Sequence, residues 1–161
     1  MAAPLAAESV AGVQWSAPAN WKNQGAAQMR AATYAVPLAP GDHGAAECVV
    51  YFFGKGQGGP VDANIERWKG QFQTSTGKPA EARVGQRIVH GMLVTTIDVS
   101  GRYSGMGGPL AQATVVSGYR LLGAILENPG GNIFLKFTGP IHTVAANQAA
   151  FETFLDSFHR Q

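Results

Sequence analysis

Residues 53 to 72 read Phe53-Gly-Lys-Gly-Gln-Gly-Gly-Pro-Val-Asp-Ala-Asn-Ile-Glu-Arg-Trp-Lys-Gly-Gln-Phe72, a glycine-rich turn set between an apolar run and a segment of helical period. Val61, Ile65, Trp68 and Phe72 recur at i, i+4, i+7 and i+11, which predicts one buried stripe on a helix over 61–73. Asp62 and Glu66 come early and Arg67 and Lys69 late, the order that a helix dipole favours. Asn64 and Gln71 flank the stripe, where they are expected to bond neighbouring loop backbone. Arg67 points away from the stripe and into solvent unless something covers it.

Gly54, Gly56 and Gly59 satisfy G-x-G-x-x-G, and Glu81 lies near the distance of a ribose-binding acid. That motif works only in a parallel strand-helix-strand unit whose second strand is buried. The next strand candidate, Arg83-Val-Gly-Gln-Arg-Ile-Val89, carries two arginines and runs into a hairpin. Pro60 also removes one N-H from any anion nest, and no Gly-Lys-Ser/Thr follows Lys55. The expectation is a sharp turn with antiparallel neighbours, packed by its own glycines, and no nucleotide site.

Working outward, Ala46 to Phe53 is apolar on both faces, the mark of a central strand. Met29 to Val36 alternates until Pro37 and Pro40 stop it. Arg83 to Val89 and Met92 to Tyr103 flank His90-Gly91 as one hairpin, with Leu93, Ile97 and Val99 on a shared face. Asn128-Pro-Gly-Gly131 joins Tyr119 to Glu127 with Asn132 to Thr138 as another. Trp15, Pro18 and Trp21 suggest a tight turn whose aromatics close one end of the core. Val144, Phe151, Phe154, Leu155 and Phe158 form a second helical stripe, opened by Gly139-Pro140 with Thr143 as its cap. Hairpins with few helices give an α+β class: a largely antiparallel sheet flanked by helices.

A chain of 161 residues fits one domain. Residues 13–161 are assigned to it, and residues 1–12 to a flexible N-terminal remnant. Charged residues make up 14%, against about 25% in ordinary soluble domains, and 21 glycines indicate many turns. A net charge of +2 without a basic cluster argues against nucleic acid as a partner. No run approaches the ~20 apolar residues of a membrane span. The small residues of Met1 to Glu8 resemble those around an export cleavage site, so a periplasmic or cell-surface location is expected. Cys48 is the single cysteine and falls in an apolar run, so it is expected to be buried.

The run Phe52-Phe-Gly-Lys-Gly-Gln-Gly-Gly59, with Asn64-Ile-Glu-Arg-Trp68 and Gln71-Phe72, resembles small exported bacterial proteins of unknown function. With Met29-Arg30, Lys136-Phe-Thr-Gly-Pro140 and the closing Phe151 to Phe158 segment, the outline is similar to the PsbP-like fold. That fold is shared by the extrinsic photosystem II subunit and a nuclear Ran-binding protein. The resemblance implies an α/β/α sandwich and a docking or assembly role, with no photosystem or Ran-binding residue to carry over.

Catalytic signatures are missing from the sequence. Gly-x-Ser-x-Gly is absent, Ser104 has no recognisable base beside it, and His43, His90, His142 and His159 are scattered singly. The functional expectation is therefore a non-catalytic binding or assembly-accessory domain that needs no cofactor and docks a cell-envelope protein partner. The alternative is a carrier of a small anionic ligand or metal ion at the glycine-rich loops, and a hydrolase comes third. The surface expected to carry contacts combines Lys55, Gln57 and Arg67 with Arg102, Tyr103 and Met106 of the second glycine-rich loop.

Overall fold

The computed structural model describes residues 8–106 and 114–161. Two short strands open the chain, β1 (Ser9–Val10) and β2 (Val13–Gln14). They pair with each other, and β2 pairs with the last strand, β11 (His159–Arg160), so the two ends of the chain share a small sheet. This corrects the boundary expected at Val13: Ser9 and Val10 are already paired, and Trp15 N-H donates to Glu8 O at 3.0 Å.

The main sheet contains β3 (Lys22–Asn23), β4 (Arg30–Ala35), β5 (Glu47–Tyr51), β6 (Phe72–Gln73), β7 (Ala82–Val89), β8 (Met92–Met106), β9 (Thr114–Leu126) and β10 (Ile133–Pro140). Their order is β3-β4-β5-β10-β9-β8-β6, with β7 also on β8, and every ladder is antiparallel. Both expected hairpins form. Their turns follow from local chemistry, since His90 and Gly91 both take positive φ (45° and 82°), as a two-residue turn matched to strand twist requires.

Strand alternation sends apolar side chains to both faces of the sheet. On one face Cys48, Val50, Leu122, Ala124, Leu135 and Phe137 meet Phe151, Phe154 and Leu155. A short helix, α2 (Ile141–Ala146), adds Val144 to this face, and the two phenylalanines and the leucine come from α3 (Gln148–Asp156). On the other face Ile97, Val99, Leu121, Ile125 and Phe134 meet Ile65 and Trp68 of α1 (Val61–Gly70). The result is an α/β/α sandwich of the α+β class. Trp15 and Trp21 close the first core as expected, Trp15 stacking on Phe158 at 5.1 Å and Trp21 meeting Phe154 at 5.3 Å. Cys48 is fully buried.

Three local expectations are corrected. The first helix ends at Gly70, so Phe72 is buried from strand β6, opposite Tyr103, and not from a helical stripe. The C-terminal helix is two helices broken at Asn147. Thr143 does not cap it; it lies inside α2, where its hydroxyl accepts from Ala39 N-H (2.9 Å) and donates to Asp42 Oδ2 (2.6 Å). The nucleotide reading fails on topology as anticipated. β5 lies between β4 and β10, both antiparallel to it, while the strand after α1 pairs with β8.

Candidate functional site

β10 lies in the middle of the sheet, between β5 and β9. Ile133, Leu135 and Phe137 enter the α3 face, so Phe134, Lys136 and Thr138 must enter the α1 face. Every other residue of this strand is buried, and Lys136 is the half-buried exception. Its neighbours across the ladders are Val49 and Gly123, which leave no carboxylate beside it.

Lys136 Nζ instead donates to Gln71 Oε1 at 2.8 Å and lies 5.5 Å from the centre of the Tyr103 ring. The ring supplies a cation-π contact, the amide a single acceptor. Gln71 is held in place as the residue that closes α1. Its N-H bonds Trp68 O at 3.2 Å, and its carbonyl accepts from the N-H and the hydroxyl of Ser104 at 2.9 and 3.2 Å. The expectation that Gln71 bonds loop backbone through its amide is thus corrected: the amide faces the lysine.

Above Lys136 is a cavity of about 180 Å³ lined by Tyr51, Phe53, Arg67, Gln71, Phe134 and Lys136, with Trp68 at its edge. Tyr51 and Phe53 stack at 5.8 Å, and Phe53 meets Phe134 edge-on at 5.2 Å, so the walls are aromatic. Arg30, outside the lining, lies 5.5 Å from the Tyr51 ring centre and 3.4 Å from Glu47. Arg67 donates to Asn64 Oδ1, and Asn64 in turn donates to Gly58 O (2.8 Å) and Pro60 O (2.9 Å). Asn64 therefore does what its position predicts: it ties the glycine-rich loop to the helix. Gly58 permits this approach, because a Cβ there would lie 2.8 Å from Phe53 and 2.9 Å from Phe134.

Burial, and then the Arg67 guanidinium, push the Lys136 ammonium down to about 8. Arg30 acts in the same direction and Glu47 opposes it. Burial also pushes the Tyr51 and Tyr103 phenols up, so both remain neutral hydroxyls at physiological pH. Chemically the site presents two cationic groups, Arg67 and Lys136, and an amide against aromatic walls, while Glu47, the carboxylate that acts on Lys136, is engaged by Arg30.

The residues anticipated from sequence separate into groups. Arg67 lines this cavity and Tyr103 underlies Lys136. Lys55 and Gln57 border a different cleft of about 350 Å³, formed with Asn128, Pro129 and Asn132 of the β9–β10 turn. Arg102 lines neither space, and the side chain of Met106 lies outside the described residues. Lys136 itself was readable as the one charge in the otherwise apolar run from Ile133 to Phe137. Among the described residues no group of three or more His, Cys, Asp or Glu could hold a metal ion. Ser104 is hydrogen-bonded to backbone, and Asp98 forms a two-point pair with Arg120 at 2.9 and 2.7 Å.

An antiparallel sheet between helix layers, with a small basic and aromatic pocket beneath α1, defines the class of this protein. No family model matches the chain, and no curated protein matches it in sequence. Solved structures identify the fold as PsbP-like. The solution structure of cyanobacterial PsbP (CyanoP) from Synechocystis sp. PCC 6803 superposes with a TM-score of 0.55 at 15% identity, covering 94% of this chain and 88% of that one. A Pseudomonas aeruginosa protein of unknown function superposes with a TM-score of 0.53 at 12% identity, covering 78% of each. At such identities the likeness is one of fold. No helix among the described residues is long and apolar enough to cross a membrane.

Proposed function

We propose that this protein is a non-catalytic binding domain and that the Lys136 pocket is its recognition site for a small carboxylate. The observation that supports this is the pairing pattern: Lys136 and Arg67 line one cavity, and among the described residues each hydrogen-bonds a neutral amide oxygen and no carboxylate. A buried cation without a counter-ion is unfavourable in the empty protein and becomes favourable once an anion enters. The volume, below the roughly 300 to 1,000 Å³ of drug-sized sites, limits the guest to a few heavy atoms.

Titration calorimetry with acetate tests this reading. Saturable binding is expected for the wild type, and Lys136→Met should weaken it about 10-fold or more, as loss of a charge-assisted hydrogen bond does. Affinity should fall as pH rises through about 8, where Lys136 loses its charge. Heat indistinguishable from dilution, or equal affinity in the variant, would remove the pocket from the account.

Docking of a cell-envelope protein partner is the second reading, favoured by a separate surface. Among the described residues β7 is bonded on one side only, to β8, and on that hairpin Val84 and Ile88 are exposed and Leu93 partly so. An open strand edge beside exposed apolar side chains suits strand addition by a partner. Crosslinking in the cell envelope through a photoreactive residue at position 86 would recover that partner at stoichiometric yield.

A further inference from the structure

We propose that Lys136 captures the carbonyl group of a short oxo acid as a reversible imine, with the acid's carboxylate held by Arg67. The inference rests on the pocket being an anion site and adds the atom that forms a bond. Lys136 sits on the central strand β10 and lines a half-open cavity with aromatic walls. A carboxylate partner would hold the lysine as an unreactive ammonium; among the described residues Lys136 instead bonds the Gln71 amide and sits over the Tyr103 ring. The groups facing Nζ are Arg67 from α1, Tyr51 and Glu47 from β5, Arg30 from β4 and Tyr103 from β8, with Tyr119 of β9 stacked on Tyr103 at 6.0 Å. With the ammonium pushed down to about 8, about one Lys136 in ten is a neutral nucleophile at pH 7. An ordinary lysine offers only a few in ten thousand.

The chemistry balances without a co-reactant. The neutral amine donates its lone pair to the carbonyl carbon, and the carbonyl oxygen takes up a proton to give a carbinolamine. That proton comes from the attacking nitrogen; the hydroxyl then takes a second proton from solvent, the carbon-oxygen bond breaks, the oxygen leaves as water, and a protonated carbon-nitrogen double bond remains. Hydrolysis reverses each step. The N-H of the protonated imine keeps Gln71 Oε1 as its acceptor, while the carboxylate supplies the counter-ion that Arg67 lacks.

The test is to incubate the full chain with glyoxylate, reduce with borohydride, and map the resulting secondary amine by peptide mass spectrometry. Lys136 should be labelled at least about 10-fold faster than Lys22, Lys55, Lys69 or Lys78, with a rate that rises with pH and levels off above about 8. Propionaldehyde, which lacks the carboxylate, should label it about 10-fold more slowly, and Arg67→Met should remove that difference. Lys136→Arg should give no adduct in the pocket. Labels spread over the other lysines with Lys136 untouched would overturn the proposal. If acetate binding persisted in that case, the anion site would stand without the imine; if acetate also failed to bind, both readings would fall.

Discussion

Lys136 shows how far a single residue can be read from sequence. Its strand, its parity and its oddness in an apolar run are visible in the letters Ile-Phe-Leu-Lys-Phe. What it faces is not, because Arg67, Gln71 and Tyr103 come from α1, the end of α1 and β8, elements distant in sequence from β10 whose registers are set by packing. The same residue works against stability, since its charge is desolvated in the fold. Lys136→Met is predicted to raise stability at pH 7 by roughly 1 to 2 kcal/mol, a shift of several degrees in Tm, because an apolar side chain suits the aromatic walls better. The sign with pH follows from the lowered value: between about 8 and 10.5 the unfolded chain holds a proton that the folded chain has released, so wild-type stability rises across that window. The advantage of the variant should be full below about pH 8 and fade above it. Thermal melts of both proteins from neutral to alkaline pH check this, and a variant less stable than wild type at pH 7 would contradict it.

Among elements, α1 carries the most of the site and was the most legible. Its apolar period, charge order and preceding glycine turn place it correctly, and the role of Asn64 follows from its position beside the stripe. Its end was misjudged for a physical reason. Phe72 falls where a continuing helix would bury it, but a two-residue strand buries it equally well once the chain turns at Gly70 and Gln71. The C-terminal stripe was read as one helix because its buried residues do not register the break. Asn147 makes that break and is held there, its amide N-H donating to Thr143 O at 2.9 Å while its oxygen accepts from Trp21 Nε1 at 3.3 Å. The helix that roofs the pocket depends on a missing side chain in the sheet. A Cβ at Gly123 would lie 2.7 Å from Trp68 Cζ3 and 2.9 Å from Ile97 Cγ2. Gly123→Ala should therefore lift α1, costing about 1 to 3 kcal/mol as overpacking does. Acetate affinity should drop with it, measured by denaturant titration and calorimetry on the same sample. Unchanged stability in this variant would mean that Trp68 is not docked as described.

At the scale of the whole molecule, the sandwich gives two faces with different fates. The α3 face is closed by Phe151 and Phe154 of α3, Phe158 just beyond it and two tryptophans, and it supplies stability. The α1 face is only partly roofed, and the uncovered strip between Trp68 and Arg30 is where the cations collect. The antiparallel layered class was readable because hairpin turns and helix stripes are local signals. The grouping of cations was not, because Lys55 and Arg67 are close in sequence yet border different cavities, while Arg67 and Lys136 are far apart in sequence and line the same one. Two-dimensional NMR of the labelled protein at pH 7, titrated with acetate, tests the central claim most directly. The account predicts saturable shifts concentrated at Tyr51, Phe53, Arg67, Gln71, Phe134 and Lys136, absent in Lys136→Met. Shifts confined instead to the Lys55–Asn132 cleft or the β7 edge, or the same pattern in the variant, would contradict it.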